Sequence, residues 1–357
     1  MTEQHDAVST LDGDKRLRDA RGRKSRLDIY THLEDALEQL NRVGGLPSPI
    51  EAEGIWGDIW YAEAHNSTAI EGNTLVLREV EALLRDGRAV GNKQLHEYLE
   101  VLGYGEAAQW VYQQALNPMW DGVSLLTFAE VRHIHALIMG QVWNVAPHSL
   151  ATPEEKPGSF RRHDIHPFPG GMTPPTWTSL DPIMSDWIAK VCGGVDQGRP
   201  ITEVIADWFA EFERIHPFID GNGPTGRLLT NLILIRLGYP PAIIYKRQRS
   251  RYLTCLQSAD MGVYGPLGEL LARAIIDTLH QFVFPAVAGP FRLVPLASLA
   301  DKGVTQRALR DAAERGRLRA QRNKNGQWQS TRRWVDDYKI SRRRGPQKQV
   351  ASKPSAF

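Results

Sequence analysis

The stretch that most constrains this chain runs from Ile201 to Leu237, two apolar segments joined by a short polar bend. In the first segment Ile201, Val204, Ile205, Trp208, Phe209, Phe212 and Ile215 recur at spacings of three and four, the mark of one buried helix face. Pro217 ends that helix because it has no amide hydrogen to donate. The second segment carries Leu228, Leu229, Leu232, Ile233 and Leu237, and stops at Gly238 ahead of Pro240 and Pro241. The bend between them is His216-Pro217-Phe218-Ile219-Asp220-Gly221-Asn222-Gly223-Pro224-Thr225-Gly226-Arg227.

The residue types in that bend suit phosphate chemistry. Gly221 and Gly223 let backbone approach a ligand, and amides at a helix start bind anions. Asp220 can hold magnesium beside phosphates. His216 titrates near neutrality and can accept a proton from a hydroxyl. Arg227, one turn into the second helix, can fork onto a phosphate oxygen. Together they point to phosphoryl or nucleotidyl transfer.

The run His-Pro-Phe-x-Asp-Gly-Asn-Gly followed by Arg227 resembles the signature of Fic-domain proteins. Most of these move AMP from ATP onto a Ser, Thr or Tyr hydroxyl of a target protein. The resemblance implies His216 as general base and Asp220 as magnesium ligand. Gly221, Asn222 and Gly223 become the phosphate cradle, and Phe218 a core anchor. The Doc-type kinase variant has Ala and Lys where this chain has Gly221 and Gly223, which disfavours phosphorylation. One position departs: Pro224 stands where the family usually has arginine. Proline suits the first turn of a helix, so the bend should form. One charge-assisted phosphate contact, about 1.5–3 kcal/mol, is missing. A second reading follows: a catalytically weakened, nucleotide-binding and DNA-binding transcriptional regulator.

A further match lies upstream. Ser67 and Glu71, four residues apart, share a helix face, and Gly72-Asn73 is a natural helix end. The pattern Ser-x-x-x-Glu-Gly-Asn resembles the Fic inhibitory motif in its N-terminal placement. By that resemblance Glu71 pairs with Arg227 and blocks the γ-phosphate, and the same glutamate can align a water that removes AMP. Ala146 to Trp177 is rich in Pro and Gly, and too long for an ordinary connection. Within it Phe160, Arg161, Arg162 and His163 resemble the family's flap, a short β-hairpin whose edge pairs with a target backbone. Arg249 and Tyr252 resemble the start of the helix that closes the nucleotide's base and ribose side. His163 and His166 have no third ligand and do not suggest a metal site.

Hydrophobic residues make up 42% and charged residues 24% of the 357, ordinary for a globular protein with two or three domains. Cys192 and Cys255 lack metal-ligand spacing and read as buried thiols. No transmembrane-length apolar run and no secretory h-region stand out, so the expectation is a cytoplasmic protein without a membrane partner. The net charge of +2 hides an asymmetry. Residues 289–357 hold 17 Lys and Arg against 5 Asp and Glu, a local +12, leaving −10 for the rest.

The expected organisation starts with a disordered N-terminus at 1–24. A helical region with the inhibitory helix follows at 25–120, with Leu27, Tyr30, Leu33, Leu37 and Leu40 marking its first helix. The Fic core spans 121–285 and a linker 286–291. Residues 292–340 read as a small winged helix-turn-helix-like domain, and 341–357 as a disordered basic tail. The winged unit resembles excisionase- and MerR-like DNA-binding modules, with Arg307 and Arg310 on the outer helix face and Arg322 and Lys324 at the wing. The fold class is therefore mainly α. The expected function is a protein adenylyltransferase using ATP and Mg2+, restrained by Glu71. Its partners would be ATP, a hydroxyl-bearing protein target and DNA, and a homodimer is one expectation for assembly.

Overall fold

The computed structural model describes residues 24–42, 45–46, 53–115, 124–167, 171–195, 198–287, 293–301, 303–322 and 326–344. The expected disorder at residues 1–23 and 345–357 lies outside these, as do Lys324 and most of the expected linker.

Among the described residues ten α-helices build the main body: α1 Arg26–Arg42, α2 Glu53–Glu71, α3 Leu77–Asp86, α4 Leu95–Ala115, α5 Phe128–Trp143, α6 Leu180–Cys192, α7 Ile201–Ile215, α8 Asn222–Arg236, α9 Arg249–Asp260 and α10 Gly265–Thr278. Helix starts follow local chemistry. Ser25 and Asp28 exchange backbone-to-side-chain hydrogen bonds ahead of α1. Thr127 and Glu130 form the same box at α5, where Thr127 Oγ1 accepts from Glu130 N. Glu130 then pairs with Arg236 at 2.6 Å, tying α5 to α8.

Helices α4, α5, α7, α8 and α10 share one hydrophobic core with α1 and α2. Helices α4 and α5 cross at Gly103, where a Cβ would sit 2.3 Å from the Ile138 carbonyl oxygen. Only a glycine permits that approach. Most expected apolar positions are inward, but Leu27, at the start of α1, is exposed.

Helix α10 continues through a π-turn, Leu279–Val283, into α11 Phe284–Val287, so helix occupies the first two positions of the expected linker. The run Gly265–Val287 is long and apolar enough to cross a membrane by length and composition, which the sequence reading missed. Half of it is buried inside the fold, and α10 packs against α1, α7 and α9.

The C-terminal unit has its own small core, including Val294, Leu299, Leu309, Leu318 and Val335. Its three-stranded antiparallel sheet has the order β1-β3-β2, from β1 Val294–Pro295, β2 Gln321–Arg322 and β3 Trp328–Ser330. The β2–β3 hairpin was legible; β1 was not, because two residues carry no periodicity. The first expected helix of this unit is a single 3-10 turn, Leu296–Leu299, followed by α12 Gln306–Glu314. Helix α13, Arg332–Arg344, runs past the expected domain end at 340.

Among the described residues, those strands are the only ones. The expected flap hairpin around Phe160, Arg161, Arg162 and His163 contains none. Its backbone pairs elsewhere: Arg161 N donates to the Pro217 carbonyl, inside the α7–α8 bend.

Candidate active site

Helix α7 ends and α8 begins on opposite sides of the bend, so the fold aims both helix termini at one place. His216 caps α7 with φ 47° and ψ 59°, the one non-glycine residue with positive φ among those described. That conformation costs of order 1–3 kcal/mol and persists only under outside support. Arg161 supplies it. Its Nε donates to His216 O at 3.0 Å, its Nη1 to His163 O at 3.0 Å, and its Nη2 to Pro175 O at 2.5 Å.

The His216 ring is largely buried, which lowers its pKa to about 4; the Glu213 carbonyl opposes the shift and the nearby Arg161 charge adds to it. The ring is therefore neutral at pH 7. Its Nδ1 lies 3.2 Å from Glu213 O. A proton on Nδ1 donated to that carbonyl makes Nε2 the basic nitrogen.

Phe218 is fully buried and stacked on His135, with centroids 3.6 Å apart, and touches Phe160 at 5.3 Å. His135 in turn accepts Gly158 N at Nδ1 and lies 3.0 Å from Asp220 O through Nε2. Its burial holds it neutral, with a pKa lowered to about 4. Asn222 locks the bend from inside: Oδ1 accepts Phe218 N and Nδ2 donates to Phe218 O. Its side chain is thereby committed to the loop, leaving its backbone for a ligand. Gly221 adopts φ 73°, and its N donates to Asp220 Oδ1 at 2.7 Å.

Asp220 is exposed at the lip of a cavity of about 380 Å³ that Glu71, Glu100, His216, Gly221 and Gly223 also line. Pro224 sits in the first turn of α8 on that wall, as its fixed φ allows. A larger cavity, about 500 Å³, lies between the bundle and the C-terminal unit, and none of these groups lines it.

Glu71 and Arg227 meet, the contact that the resemblance implies. Arg227, buried, donates from Nε to Ser67 Oγ at 2.7 Å, and from Nη2 to Ser67 O and to Glu71 Oε1 at 3.2 and 2.7 Å. Burial works against the Arg227 charge, but Glu71 more than offsets it and its pKa is raised. Glu71 also presses on the α8 start, where a Cβ at Gly223 would lie 2.7 Å from Glu71 Oε1.

Several expected residues sit elsewhere. Arg249 is exposed and donates to Ile70 O at 2.7 Å, capping the end of α2. Tyr252 is buried, stacked against Phe209 at 6.1 Å and lying under Arg227 at 5.9 Å. Neither lines the cavity. In the flap, Phe160 is partly buried against Phe128 and Phe218. Arg161 is 1% exposed, so its side chain supports the α7–α8 bend and is withdrawn from the surface. Arg162 is exposed, and its N donates to Glu155 Oε1 at 2.5 Å. His163 Nδ1 lies 2.9 Å from the same Glu155 oxygen. Burial raises the Glu155 pKa, yet the Arg162 and Thr152 amides and His163 win and its pKa is lowered. In the C-terminal unit Arg307 is exposed. Arg310 pairs with Glu314 at 3.0 Å, and Arg322 covers Trp328 at 4.9 Å.

Sequence reasoning missed three groups behind the site. Glu63 accepts from Tyr104, Tyr112 and Asn231, and burial raises its pKa to about 7. Glu213 is half-buried beside Gly226 with its Oε1 enclosed, and desolvation raises its pKa to about 8. His135 is the third. Each falls among apolar helix residues, where no spacing distinguishes it.

A helical bundle here presents a histidine at a helix end, an amide-lined bend and a buried arginine to one place. Residues 125–234 match the model of the Fic/DOC family. A protein from Drosophila willistoni named "Protein adenylyltransferase Fic" is 28% identical over 284 residues, which is 78% of this chain and 49% of that protein. The chain thus spans about half the length of the curated relatives it matches. Two solved structures share the fold: Fic-1 (residues 134–508) from C. elegans, with a TM-score of 0.58, 21% identity and 72% of each chain covered, and a Fic domain containing signaling protein from Bacteroides thetaiotaomicron, with a TM-score of 0.59, 23% identity, and 72% and 96% covered.

Proposed function

We propose that this chain is a protein adenylyltransferase that moves AMP from ATP onto a hydroxyl of a protein target, and that Glu71 restrains it. The observation that carries the reading is a neutral His216 and an amide-lined helix start facing one cavity, with Glu71 held on Arg227 at its edge. The curated relatives bear the name of that activity.

In this reading the target hydroxyl gives its proton to His216 Nε2 as its oxygen bonds to the α-phosphorus. The bond from that phosphorus to the bridging oxygen breaks, pyrophosphate leaves, and an AMP ester remains on the target. The Gly221–Gly223 amides and the α8 terminus stabilise charge on the phosphate oxygens. Arg227, once released by Glu71, is the cation for the γ-phosphate.

Magnesium fits the donors present. It keeps several waters and needs one or two carboxylates beside phosphate oxygens. Asp220 offers one exposed carboxylate at the cavity lip, and no cluster of three metal-ligating side chains exists among the described residues. When bound, the ion neutralises phosphate charge.

The C-terminal unit we read as a DNA-contacting appendage, favoured by the exposed Arg307 on α12 and the local +12. A salt-dependent mobility shift of the full chain on duplex DNA tests that part. For the transferase, the chain and its Glu71→Gly variant are incubated with α-labelled ATP and magnesium, with His216→Ala as control. Label on the chain or on lysate proteins, greater in the variant and absent without His216, is expected. No label from either form would overturn the reading.

A further inference from the structure

Two helices meet at the restraint as an antiparallel ladder. Glu63, Ser67 and Glu71 on α2 are spaced by four, as are Asn231, Arg227 and Gly223 on α8. Asn231 Nδ2 donates to Glu63 Oε1, Arg227 Nε to Ser67 Oγ, and Arg227 Nη2 to Glu71 Oε1, which abuts Gly223. The upper rungs belong to the restraint already described. The Glu63 rung lies two turns below it; neither Glu63 nor Asn231 lines the cavity, though the Tyr104 that donates to Glu63 does.

That rung is built with care for direction. Glu63 is 3% exposed, and Tyr104 and Tyr112 of α4 donate to its two oxygens at 3.0 and 2.8 Å. Asn231 is itself oriented, because its Oδ1 accepts Ala242 N at 2.8 Å. Its amide therefore has one way to face Glu63. Three elements converge on one carboxyl: α2 carries it, α4 gives two phenols and α8 gives one amide. A buried carboxyl is a poor source of stability, since an apolar side chain of similar volume there is commonly neutral or stabilising. Its best-attested use is to fix register between packed elements. The charged groups facing it are few: Arg227 of α8 and the phenols Tyr104 and Tyr112, with burial dominating its titration.

We infer that Glu63 is the positioning residue of the restraint: its bonds to Asn231, Tyr104 and Tyr112 set the register of α2 on α8 so that Glu71 reaches Arg227 and Gly223. This rests on the transferase reading for its consequence, though not for its geometry.

The test uses the full chain and two readouts. Hydrogen exchange of the backbone amides at 66–71 reports the seating of α2 without any activity. Glu63→Leu, which removes the polar rung while keeping volume, should speed that exchange roughly tenfold. Glu63→Gln should restore the wild-type rate, since an amide can accept from Asn231 and Tyr104 and donate to the Tyr112 oxygen. Self-labelling with α-labelled ATP should rise several-fold in Glu63→Leu and stay low in Glu63→Gln, and Glu63→Leu/Glu71→Gly should label no faster than Glu71→Gly. A merely structural role would lower labelling, not raise it. Should Glu63→Leu fold poorly, Tyr112→Phe removes one donor without changing shape and should show the same acceleration to a smaller degree. Unchanged exchange at 66–71 in both Glu63→Leu and Tyr112→Phe would overturn the inference. Silence of Glu71→Gly would instead remove the transferase reading, with the exchange data still deciding the role of Glu63.

Discussion

Arg161 offers the sharpest test of how the α7–α8 bend is held. Its guanidinium is buried and gives three hydrogen bonds to backbone carbonyls, of His216, His163 and Pro175. The carboxylate of Asp164, at 3.7 Å, is half exposed and contributes little. Truncation to Ala leaves three carbonyls without these donors. At about 1.5 kcal/mol for each bond from a charged donor, the loss approaches 4–5 kcal/mol. Relief from burying a cation returns part of this, and a net loss of about 3 kcal/mol is expected. Arg161→Lys should recover roughly a third, because one ammonium cannot span a fork of three acceptors. Urea denaturation followed by circular dichroism measures both, and the melting temperature of the Ala variant should fall by roughly 6–12 °C. The same variant should raise the His216 pKa from about 4, since one of the causes that lowers it is gone, yet leave it below 6.5, since burial remains the larger cause. Imidazole resonances followed through a pH titration read that shift. Stability within about 1 kcal/mol of wild type together with an unmoved His216 would refute the claim that Arg161 holds the left-handed cap.

Glu71→Gln weakens a pair whose carboxylate is 48% exposed, so after solvent screening about 1–2 kcal/mol is lost and the initial rate of self-labelling should rise roughly 5- to 30-fold. Added salt should speed the wild type and leave the variant unchanged. Gly226→Ala places a Cβ 2.6 Å from Glu213 Oε1 and 2.9 Å from the Phe209 ring, and should cost about 1–3 kcal/mol in chemical denaturation. Pro224→Arg should increase labelling by Glu71→Gly, measured as initial rate, if the absent arginine limits turnover; equal rates would show that the bend and Arg227 suffice. Stability should peak near pH 6.5. Glu63 and Glu213 have folded pKa values raised to about 7 and 8, so their contribution is full below their ordinary pKa of 4.5 and is lost as pH rises through 7 and 8. His135, His216 and His280 are lowered from 6.5 to about 4, so theirs is present above 6.5 and lost as pH falls through 4. Glu63→Gln should flatten the alkaline limb of that profile in denaturation midpoints.

Much of this molecule was readable from neighbours along the chain. The α7–α8 bend, its helix ends at Pro217 and Gly238, and the end of α2 at Gly72 follow from side chains within a few residues of one another. So did the pairing of Glu71 with Arg227, though only through a resemblance between two patterns 156 residues apart. Arg161 is where such reading failed. An arginine in a Gly- and Pro-rich loop is ordinarily solvated, and only the carbonyls of His216 and Pro175, brought in by the fold, make burial affordable. Arg249, though exposed, meets the Ile70 carbonyl at the α2 terminus, another partner that only the fold brings near.

What the sequence determined alone was the local grammar: apolar spacing, proline and glycine stops, a bend with a base and a carboxylate. What only tertiary structure decided was the electrostatic state of the groups around that bend. Glu63 takes its hydrogen bonds from residues 41, 49 and 168 positions away, and its charge depends on how much water those contacts exclude. Desolvation is a property of packing from all sides, and packing between distant segments leaves no spacing in the chain to read.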